Sequence, residues 1–345
     1  MKAAILHGKE HIQIEDIAPP VLKPGEVRIR IEAALTCGTD LKVFKRGYHA
    51  KMIVPPAAFG HELAGIISEL GDGASGLAWR IGDRVVVANS APCGECFYCR
   101  AAQENLCEDL LFLNGAYAES IVVPARLVQK NLLRLRPETD FRDAALVEPL
   151  ACVVQGVEDT HLRAGQHVLI LGAGPIGLMF AALAQNLGCE VTVAGRRTAR
   201  LEAAQRLGAD QTIDIGDGRG LVTKVRAATG THFDAVIDAV GHPDVWEAAV
   251  HLVRKGGAVN FFGGCPAGTS ITLDTTLIHY SNLTLLASFH HTPHTVRRAL
   301  AYIEVGVISA ADFVDGECPL TQLPELFKTM AAGNHAIKTL IRVQE

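Results

Sequence analysis

The chain has 345 residues, about twice the usual size of a domain, so we expect two domains with separate cores. A hydrophobic fraction of 49% with 20% charged residues is ordinary for a folded globular protein and argues against disorder. The formal net charge of -5 offers no basic surface for nucleic acid. Because no apolar run approaches the roughly 18 to 20 residues of a membrane span, and the first residues lack a signal-peptide pattern, we expect a cytoplasmic protein without a membrane partner.

The first part of the chain, residues 1–150, is predicted to be a mostly β domain. Short runs with strand character are separated by irregular stretches rich in glycine and proline. The predicted strands cover residues 1–7, 26–36, 61–70 and 83–89.

From residue 151 onward the pattern changes to short apolar strands that alternate with helical segments. The clearest strand, HVLIL at 167–171, runs into a glycine-containing turn, and similar apolar runs follow at 190–195, 211–215, 233–240, 258–264 and 283–288. Such alternation predicts a doubly wound parallel sheet, an α/β domain over residues 151–288. Residues 289–345 return to mixed character and are expected to rejoin the first domain, with a cleft between the domains as the default ligand site.

Four of the nine cysteines are clustered in the segment APCGECFYCRAAQENLC, at Cys93, Cys96, Cys99 and Cys107. An odd cysteine count and this clustering argue against a disulfide framework. Four thiolates in one short loop can close a tetrahedral shell around Zn²⁺, which describes a structural site. An iron–sulfur cluster and four unligated cysteines are the alternatives. We favour zinc because the ferredoxin run has a different last spacing followed by proline.

A more dispersed set of residues also suits a metal: Cys37 in TCGTDLK, His61 and Glu62 in FGHELAG, and Glu148 in VEPLA. One thiolate, one imidazole and a carboxylate supply three protein ligands and leave a fourth position for water or substrate, as catalytic zinc requires. Each residue alone has an ordinary structural explanation, since a single cysteine is usually a small buried hydrophobe. These residues favour a metal site only when they are considered together.

A glycine-rich loop, GAGPIG, follows the predicted strand 167–171 and opens a helix. In the dinucleotide-binding pattern Gly172 allows the tight turn, Gly174 lets the backbone approach the pyrophosphate and Gly177 lets helix and strand pack closely. Pro175 and Ile176 lie at the start of the helix, whose N-terminus then faces the phosphates. The loop predicts a dinucleotide cofactor.

In chain order, the motifs CGTD, GHE, the four-cysteine lobe, EPL and GAGPIG resemble the medium-chain zinc-dependent alcohol dehydrogenases, especially the polyol (sorbitol-type) and threonine dehydrogenase branch. The resemblance implies an α/β protein with a GroES-like, mostly β catalytic domain plus a Rossmann doubly wound parallel-sheet domain. It implies that Cys37 and His61 hold a catalytic zinc, that Glu62 and Glu148 share the remaining positions as ligands or through water, and that the lobe holds a second, structural zinc.

The resemblance also implies a reaction. Thr39 would accept the proton of an alcohol substrate, and a hydride would move to a nicotinamide, the reverse direction reducing a ketone. Many relatives have a histidine where this chain has Lys42, which leaves proton exit through residue 42 in doubt. The substrate is expected to be a secondary alcohol, namely a polyol, sugar alcohol or amino alcohol, and the protein a homodimer or homotetramer. The alternatives are a zinc-free quinone or enoyl reductase of the same superfamily and a non-catalytic binding protein on the same fold.

The end of the second Rossmann strand predicts a preference for NADP over NAD. NAD-specific sites place an acidic residue here, which binds the ribose hydroxyls and would repel a 2′-phosphate. This chain has Gly195, which removes the carboxylate and leaves room, followed by Arg196 and Arg197 as planar cationic donors. Solvated surface charge is the alternative interpretation of the two arginines.

Several points stay open from the sequence. It does not tell which glutamate, Glu62 or Glu148, binds the resting metal. Tyr48, His49 and Phe59 are candidates for the mouth of the substrate pocket. The role of a histidine cluster is also open; its members are His290, His291 and His294.

Overall fold

The computed structural model describes residues 1–49, 51–230, 232–333 and 336–344. They divide into two compact units, one formed by Met1–Ala151 with His291–Glu345 and the other by Cys152–His290. Among the described helices, none combines the length and the apolar composition needed to span a bilayer.

The strands, in chain order, are β1 (Lys2–Gly8), β2 (His11–Asp16), β3 (Val27–Leu35), β4 (Ala57–Ala58), β5 (Glu62–Leu70), β6 (Arg84–Val87), β7 (Ser90–Ala91), β8 (Leu111–Phe112), β9 (Ser120–Val123), β10 (Leu132–Arg134), β11 (His167–Leu171), β12 (Glu190–Gly195), β13 (Gln211–Asp214), β14 (Phe233–Asp238), β15 (Val253–Phe261), β16 (Thr284–Leu286), β17 (Val314–Pro319) and β18 (Lys338–Arg342). The α-helices are α1 (Gly38–Arg46), α2 (Phe97–Arg100), α3 (Ala125–Lys130), α4 (Phe141–Ala144), α5 (Val147–Thr160), α6 (Pro175–Asn186), α7 (Thr198–Arg206), α8 (Leu221–Thr229), α9 (Pro243–Ala249), α10 (Thr275–Tyr280), α11 (Pro293–Glu304) and α12 (Leu323–Ala331). Short 3₁₀ turns cover Ala74–Leu77, Glu104–Leu106, Ala310–Asp312 and Leu320–Gln322.

The first unit is built on a mostly antiparallel sheet with the strand order β10-β6-β5-β3-β18-β17, and β9 also pairs with β3. In β3, alternate residues Val27, Ile29 and Ile31 are buried, so one face of this strand contributes to the core. The C-terminal strand β18 pairs with β3 in antiparallel register, Leu340 opposite Leu35. The C-terminal segment is therefore an integral part of this unit.

The first unit also contains helices that the strand pattern does not predict. In α1, Val43 and Phe44 are buried, and the Cys37 side chain caps the N-terminus by accepting a hydrogen bond from the Thr39 amide. Basic residues fill the last turn, where they complement the helix dipole. This amphipathic helix places the CGTD motif at the N-terminus of a helix.

The second unit is a parallel sheet with the strand order β13-β12-β11-β14-β15-β16 and helices between consecutive strands. The central strand β11 pairs in parallel with both β12 and β14, and Val168, Leu169 and Ile170 are fully buried. Such continuous burial explains the unbroken apolar run of HVLIL. The strand order is that of a Rossmann fold, so the predicted α/β fold class is confirmed.

Candidate functional site

The four cysteines of the lobe converge in the structure. The sulfur atoms of Cys93 and Cys99 are 3.8 Å apart, and those of Cys96 and Cys107 are 3.9 Å apart. These distances exclude S–S bonds in these pairs, and they match the edge of about 3.8 Å of a tetrahedron with Zn–S bonds of about 2.3 Å. The donor set and its spacing therefore fit a closed zinc site.

Backbone amides donate to the lobe sulfurs and lower the pKa of the Cys93 and Cys96 thiols, whereas loss of surrounding water raises the pKa of Cys99 and Cys107. The amides of Glu95 and Cys96 donate to the Cys93 sulfur at 3.4 and 3.3 Å. Hydrogen bonds from the amides of Cys99 and Glu108 lower the pKa of the Cys96 thiol to about 6. The backbone of the loop therefore stabilises negative charge on the sulfurs of Cys93 and Cys96 without help from a cation.

The mixed metal-ligand set also comes together, inside the first unit. Potential ligand atoms of Cys37, His61 and Glu62 all lie within 4.8 Å of one another. Loss of surrounding water raises the pKa of the Cys37 thiol, and the nearby Glu62 carboxylate raises it further. A cation at the centre of these ligands would reverse that balance, because a metal binds the thiolate.

His61 is oriented by a buried carboxylate. Its Nδ1 donates a hydrogen bond to Oδ1 of Asp40 over 2.8 Å, and the Tyr117 hydroxyl donates to Oδ2 of Asp40 over 2.6 Å. Burial by itself would lower the pKa of His61, but the charges and hydrogen bonds of Asp40 and Cys37 outweigh burial and raise it. With Nδ1 committed to Asp40, Nε2 is the ring nitrogen left to bind a metal.

Glu62 is paired with a lysine from the C-terminal strand β18. The Lys338 ammonium donates to both carboxylate oxygens, at 2.7 and 2.5 Å, and to the Thr36 carbonyl at 3.0 Å. Lys338 is only 2% exposed and Glu62 is fully buried. Burial by itself would lower the pKa of Lys338, but the attraction of Glu62 outweighs burial and raises it, so the lysine stays charged.

Glu148 approaches the same cluster from helix α5. Its Oε2 is 4.0 Å from Nε2 of His61, and its Oε1 is 4.0 Å from Nε2 of His291. His291 Nε2 is in turn 3.0 Å from the Asn89 side-chain oxygen. Burial raises the pKa of Glu148 to about 7. One carboxylate oxygen of Glu148 therefore faces Nε2 of His61, the ring nitrogen that does not bond to Asp40.

The remaining sequence candidates have different environments. Thr39 is half-buried and its amide lies 3.4 Å from the Cys37 sulfur. Lys42 is exposed. Phe59 is fully buried, and its ring packs against Tyr117 and Phe327 in an aromatic cluster of the core. The expectation that it lies at a pocket mouth is therefore wrong. Tyr48 is 51% exposed, and in the histidine cluster only His291 is buried whereas His294 is exposed.

Sequence reasoning missed three polar residues that surround the metal-ligand set. Asp40 lies in the CGTD motif. Because a ligand histidine usually donates its second ring N–H to a carboxylate, this aspartate could have been predicted as the partner of His61. Lys338 stands inside the apolar run AIKTLIRV, where an isolated lysine is a signal for a buried ion pair. Tyr117 has no comparable local signal.

The glycine loop in the second unit has the geometry that the motif predicts. Gly172 has φ +112, and a Cβ on Gly177 would stand 1.8 Å from the Gly172 carbonyl oxygen, so only glycine fits there. Gly174 caps α6, and Pro175 and Ile176 form its first residues. The backbone N–H groups at this helix N-terminus are suited to bind phosphate.

A pocket of about 900 Å³ adjoins this loop. Its lining includes the loop glycines Gly172 and Gly174, the three residues 195–197 and the segment 217–223. Gly195 is itself a point of close approach, because a Cβ there would stand 2.6 Å from the Ala173 Cβ. The expected room beside Gly195 is therefore filled by Ala173 in the direction that a side chain at this position would take.

A tetrathiolate lobe, a buried mixed-ligand cluster and a Rossmann glycine loop in one chain define the class of zinc-using, nicotinamide-linked dehydrogenases. Comparisons with known proteins support the assignment to this class. Residues 23–132 match the alcohol dehydrogenase GroES-like domain, and residues 175–304 match the zinc-binding dehydrogenase model.

Relatives align over nearly the whole chain. A sorbitol dehydrogenase of Bombyx mori is 30% identical, covering 99% of this chain and 98% of that protein. An erythritol/L-threitol dehydrogenase of Mycolicibacterium smegmatis is also 30% identical, covering 98% and 96%. A crystal structure from Sinorhizobium meliloti 1021, described as a zinc-binding dehydrogenase bound to NADP, superposes with a TM-score of 0.89 at 28% identity, covering 99% of this chain and 98% of that one.

The chain belongs to the zinc-dependent medium-chain polyol dehydrogenase family. It is an oxidoreductase that acts on alcohol or polyol groups, and the prediction of an enzyme is confirmed. The family assignment favours the zinc-dependent enzyme over the zinc-free reductase and over the non-catalytic protein.

Proposed function

We propose that this enzyme oxidises a secondary alcohol of a polyol, sugar alcohol or amino alcohol, with a catalytic zinc held by Cys37, His61 and Glu148 and a structural zinc held by the four-cysteine lobe. The carrying observation is the orientation of His61, whose Nδ1 is bonded to Asp40 while its Nε2 faces Glu148. Zinc bound there would supply Lewis-acid polarisation of the alcohol, and the bound nicotinamide would accept the hydride.

Two observations favour Glu148 over Glu62 as the third ligand. Both Glu62 oxygens already accept hydrogen bonds from the Lys338 ammonium, so binding a metal would cost that ion pair. The Glu148 oxygens, in contrast, lie 4.0 Å from Nε2 of His61 and Nε2 of His291, beyond hydrogen-bond distance of either ring. Glu62, held by Lys338, then contributes negative charge beside the ligands without binding the metal itself.

The roles of the other residues follow from their positions. Cys37 sits at the N-terminus of α1, where the helix dipole opposes the effect of burial, which raises the pKa of its thiol. Thr39 lies in the first turn of α1, next to the N-cap Cys37, and is proposed to relay the proton of the substrate hydroxyl, accepting it as its own hydroxyl proton passes to water. In the oxidation the carbinol carbon then gives up a hydride, so that the alcohol becomes a ketone.

Zinc content distinguishes the two glutamates. We expect two zinc ions per chain in the wild type, and one in Glu148→Gln because a neutral amide is a much weaker ligand. Glu62→Gln, made together with Lys338→Met so that no unpaired cation stays buried, is the matched control and should retain both ions. Loss of zinc from this control but not from Glu148→Gln would reverse the assignment, and a single zinc in the wild type would refute the two-site proposal.

The substrate class is tested by a panel of alcohols. The resemblance of the EPL motif, which contains Glu148, to the polyol and threonine dehydrogenase branch and the polyol dehydrogenases among the relatives support a polyhydroxylated secondary alcohol. We expect kcat/KM to be highest for polyols, sugar alcohols or amino alcohols. A clear preference for a simple primary alcohol such as ethanol would contradict this.

We also propose that NADP is preferred over NAD. The second unit offers Arg196 and Arg197 at the pocket beside Gly195, where NAD-specific sites place a carboxylate. The NADP bound to the similar Sinorhizobium meliloti 1021 protein supports the same assignment. Gly172, Gly174, Pro175, Ile176 and Gly177 are proposed to bind the pyrophosphate through the backbone and the N-terminus of α6.

The cofactor test must allow for the tight packing of Gly195. Because an Asp at this position would meet Ala173, the variant is Gly195→Asp with Arg196→Leu in an Ala173→Gly background, and Ala173→Gly alone is the control. We expect the ratio of kcat/KM for NADP to that for NAD to fall about a hundredfold or more in the variant but not in the control. A wild type that favours NAD, or a variant with an unmoved ratio, would contradict the proposal.

A homodimer or homotetramer in the cytoplasm is proposed as the working form. Strand β16 ends the described sheet of the second unit, and nearby Tyr280 is 76% exposed. An unprotected sheet edge favours pairing with a second copy. Sedimentation analysis across a concentration series tests this, and a monomer at all concentrations would contradict it.

A further inference from the structure

The loop between β13 and α8, residues 215–220, forms one wall of the pocket beside the glycine loop. Its sequence, IGDGRG, has glycine at three of six positions, and each of these glycines has a positive φ. None of these residues belongs to the dinucleotide motif. The loop nevertheless contacts one of the arginines proposed to bind the cofactor.

Arg196 is the residue that meets this loop. Its Nη2 donates a hydrogen bond to the Asp217 carbonyl oxygen over 2.8 Å. The Asp217 carboxylate is turned to other partners: it accepts a hydrogen bond from the Arg219 amide at 2.9 Å and lies 3.9 Å from the Lys224 ammonium. The Asp217 carbonyl therefore makes the hydrogen bond to Arg196, and the Asp217 carboxylate adds electrostatic attraction without bonding to it.

Gly218 makes this contact sterically possible. A Cβ at this position would stand 2.5 Å from Nη2 of Arg196 and 3.5 Å from its Cζ. The guanidinium thus occupies the space that any side chain at residue 218 would need. The carbonyl on one side and the missing side chain on the other together fix where the planar donors of Arg196 point.

We infer that Gly218 is a specificity-determining position of this enzyme, because it seats the Arg196 guanidinium where it can bind the 2′-phosphate of NADP. The inference rests on the proposed NADP preference. Ordering a flexible arginine side chain on binding costs rotamer entropy, which lowers its contribution to affinity. The cost is smaller when the side chain is already held in the binding orientation. Gly218 acts through Arg196 as a positioning residue.

The test compares two glycine variants of the same loop. Gly218→Ala displaces the end of the Arg196 side chain, whereas Gly216→Ala meets only the Lys224 ammonium, at 3.7 Å, and does not approach Arg196. Both glycines have positive φ, +85 and +55, so both variants carry a backbone penalty, which is the smaller one at residue 216. Gly216→Ala is therefore the matched control for strain in the loop.

The probes are 2′,5′-ADP, which carries the 2′-phosphate, and 5′-AMP, which lacks it, with Kd measured by calorimetry on the intact enzyme. We expect Gly218→Ala to raise the Kd for 2′,5′-ADP about tenfold while the Kd for 5′-AMP changes less than about twofold. Gly216→Ala should change neither by more than about twofold. The KM for NADP should follow 2′,5′-ADP, and the KM for NAD should follow 5′-AMP.

A double-mutant cycle shows whether the effect passes through Arg196. In an Arg196→Leu background, Gly218→Ala should cause no further loss of 2′,5′-ADP binding, because the group that it displaces is gone. An additional tenfold loss in that background would overturn the inference. If Gly218→Ala does not fold, Gly218→Asn and Gly216→Asn form the second pair, since asparagine tolerates positive φ better than alanine.

The outcomes separate this inference from the proposal on which it rests. A wild type that binds 2′,5′-ADP no better than 5′-AMP refutes the NADP preference, and the inference with it. If the wild type discriminates and Arg196→Leu removes the discrimination, but Gly218→Ala behaves like Gly216→Ala, only the inference is wrong. Equal losses of both ligands in Gly218→Ala would show general damage to the loop and would also overturn it.

Discussion

The two candidate metal sites of the first unit are built by different means. The lobe takes all four ligands from residues 93–107, and its sulfurs are surrounded by amides of the same loop. The mixed cluster draws its proposed ligands from residues 37, 61 and 148 and its supporting charges from residues 40, 62 and 338. One site is complete within a short loop, whereas the other depends on the whole unit.

This difference follows from the chemistry of the ligands. Thiolates bind zinc strongly and need only weak N–H···S support, so a surface loop suffices. A buried carboxylate and imidazole must have their charges compensated, which here requires the Lys338–Glu62 ion pair and the Asp40–His61 hydrogen bond. Stability should therefore depend on the ligands of the lobe, and turnover on those of the mixed cluster.

The sharpest test of this division is Cys37→Ala, for which we expect the largest effect. Loss of the catalytic metal removes a Lewis acid worth several kcal/mol, so kcat/KM should fall by about 10⁴-fold. Zinc content should fall from two ions to one per chain while Tm changes by only a few degrees. Substantial residual turnover, or retention of both ions, would show that Cys37 is not a ligand.

The supporting ion pair is tested by Lys338→Met. Removing the cation leaves the buried Glu62 carboxylate without its partner, which should lower the free energy of unfolding by about 3–5 kcal/mol. Replacing both residues, as Glu62→Leu with Lys338→Met, should recover most of that loss because no buried charge remains. Urea unfolding of the two variants measures this. Equal destabilisation of the single and double variants would mean that packing, not charge, explains the effect.

The amount that the sequence could predict differs between the regions for the same physical reason. The predicted strands at 167–171 and 190–195 coincide with β11 and β12, because strands buried on both faces leave an uninterrupted apolar run. The lobe was predictable from spacing alone, since its ligands are close together in the chain. Local pattern was sufficient wherever the structure is local.

The rest depends on pairings between distant segments. Lys338 and Glu62 are 276 residues apart, and Tyr117 and Asp40 are 77 apart, so no periodicity links them. Helix α1 was missed in a segment that predicts mainly strands, because its cap is a cysteine side chain and not one of the usual capping residues. These features arise only when the sheet brings the segments together.

The lobe is tested by Cys96→Ala, with Cys189→Ala as a control that removes a buried thiol from the second unit. Structural zinc contributes its binding energy to folding, so we expect a loss of about 3 kcal/mol or more and a Tm lower by roughly 6–12 °C. Turnover of the remaining folded enzyme should stay within about twofold of the wild type. Calorimetry and zinc analysis check this, and a stable but inactive variant would contradict the division of roles.

The smallest expected effect is that of Asp40→Asn, which alters the orientation of His61 without removing a ligand. Asp40 accepts hydrogen bonds from both His61 and Tyr117 and is 1% exposed, so the amide of an asparagine can serve only one of the two donors. Loss of such a partner usually costs 10- to 100-fold in metal affinity or activity, and we expect about that loss in zinc affinity measured by chelator competition.

Tyr117→Phe is the matched control: it keeps the aromatic packing on Phe59 and Phe327 and removes only the hydroxyl. Because it leaves the Asp40 carboxylate facing His61, its zinc affinity should fall by no more than a few fold. If both variants lose affinity equally, the aromatic hydroxyl and the carboxylate act as one network; if neither does, His61 is held by the fold alone and Asp40 has no part in the site.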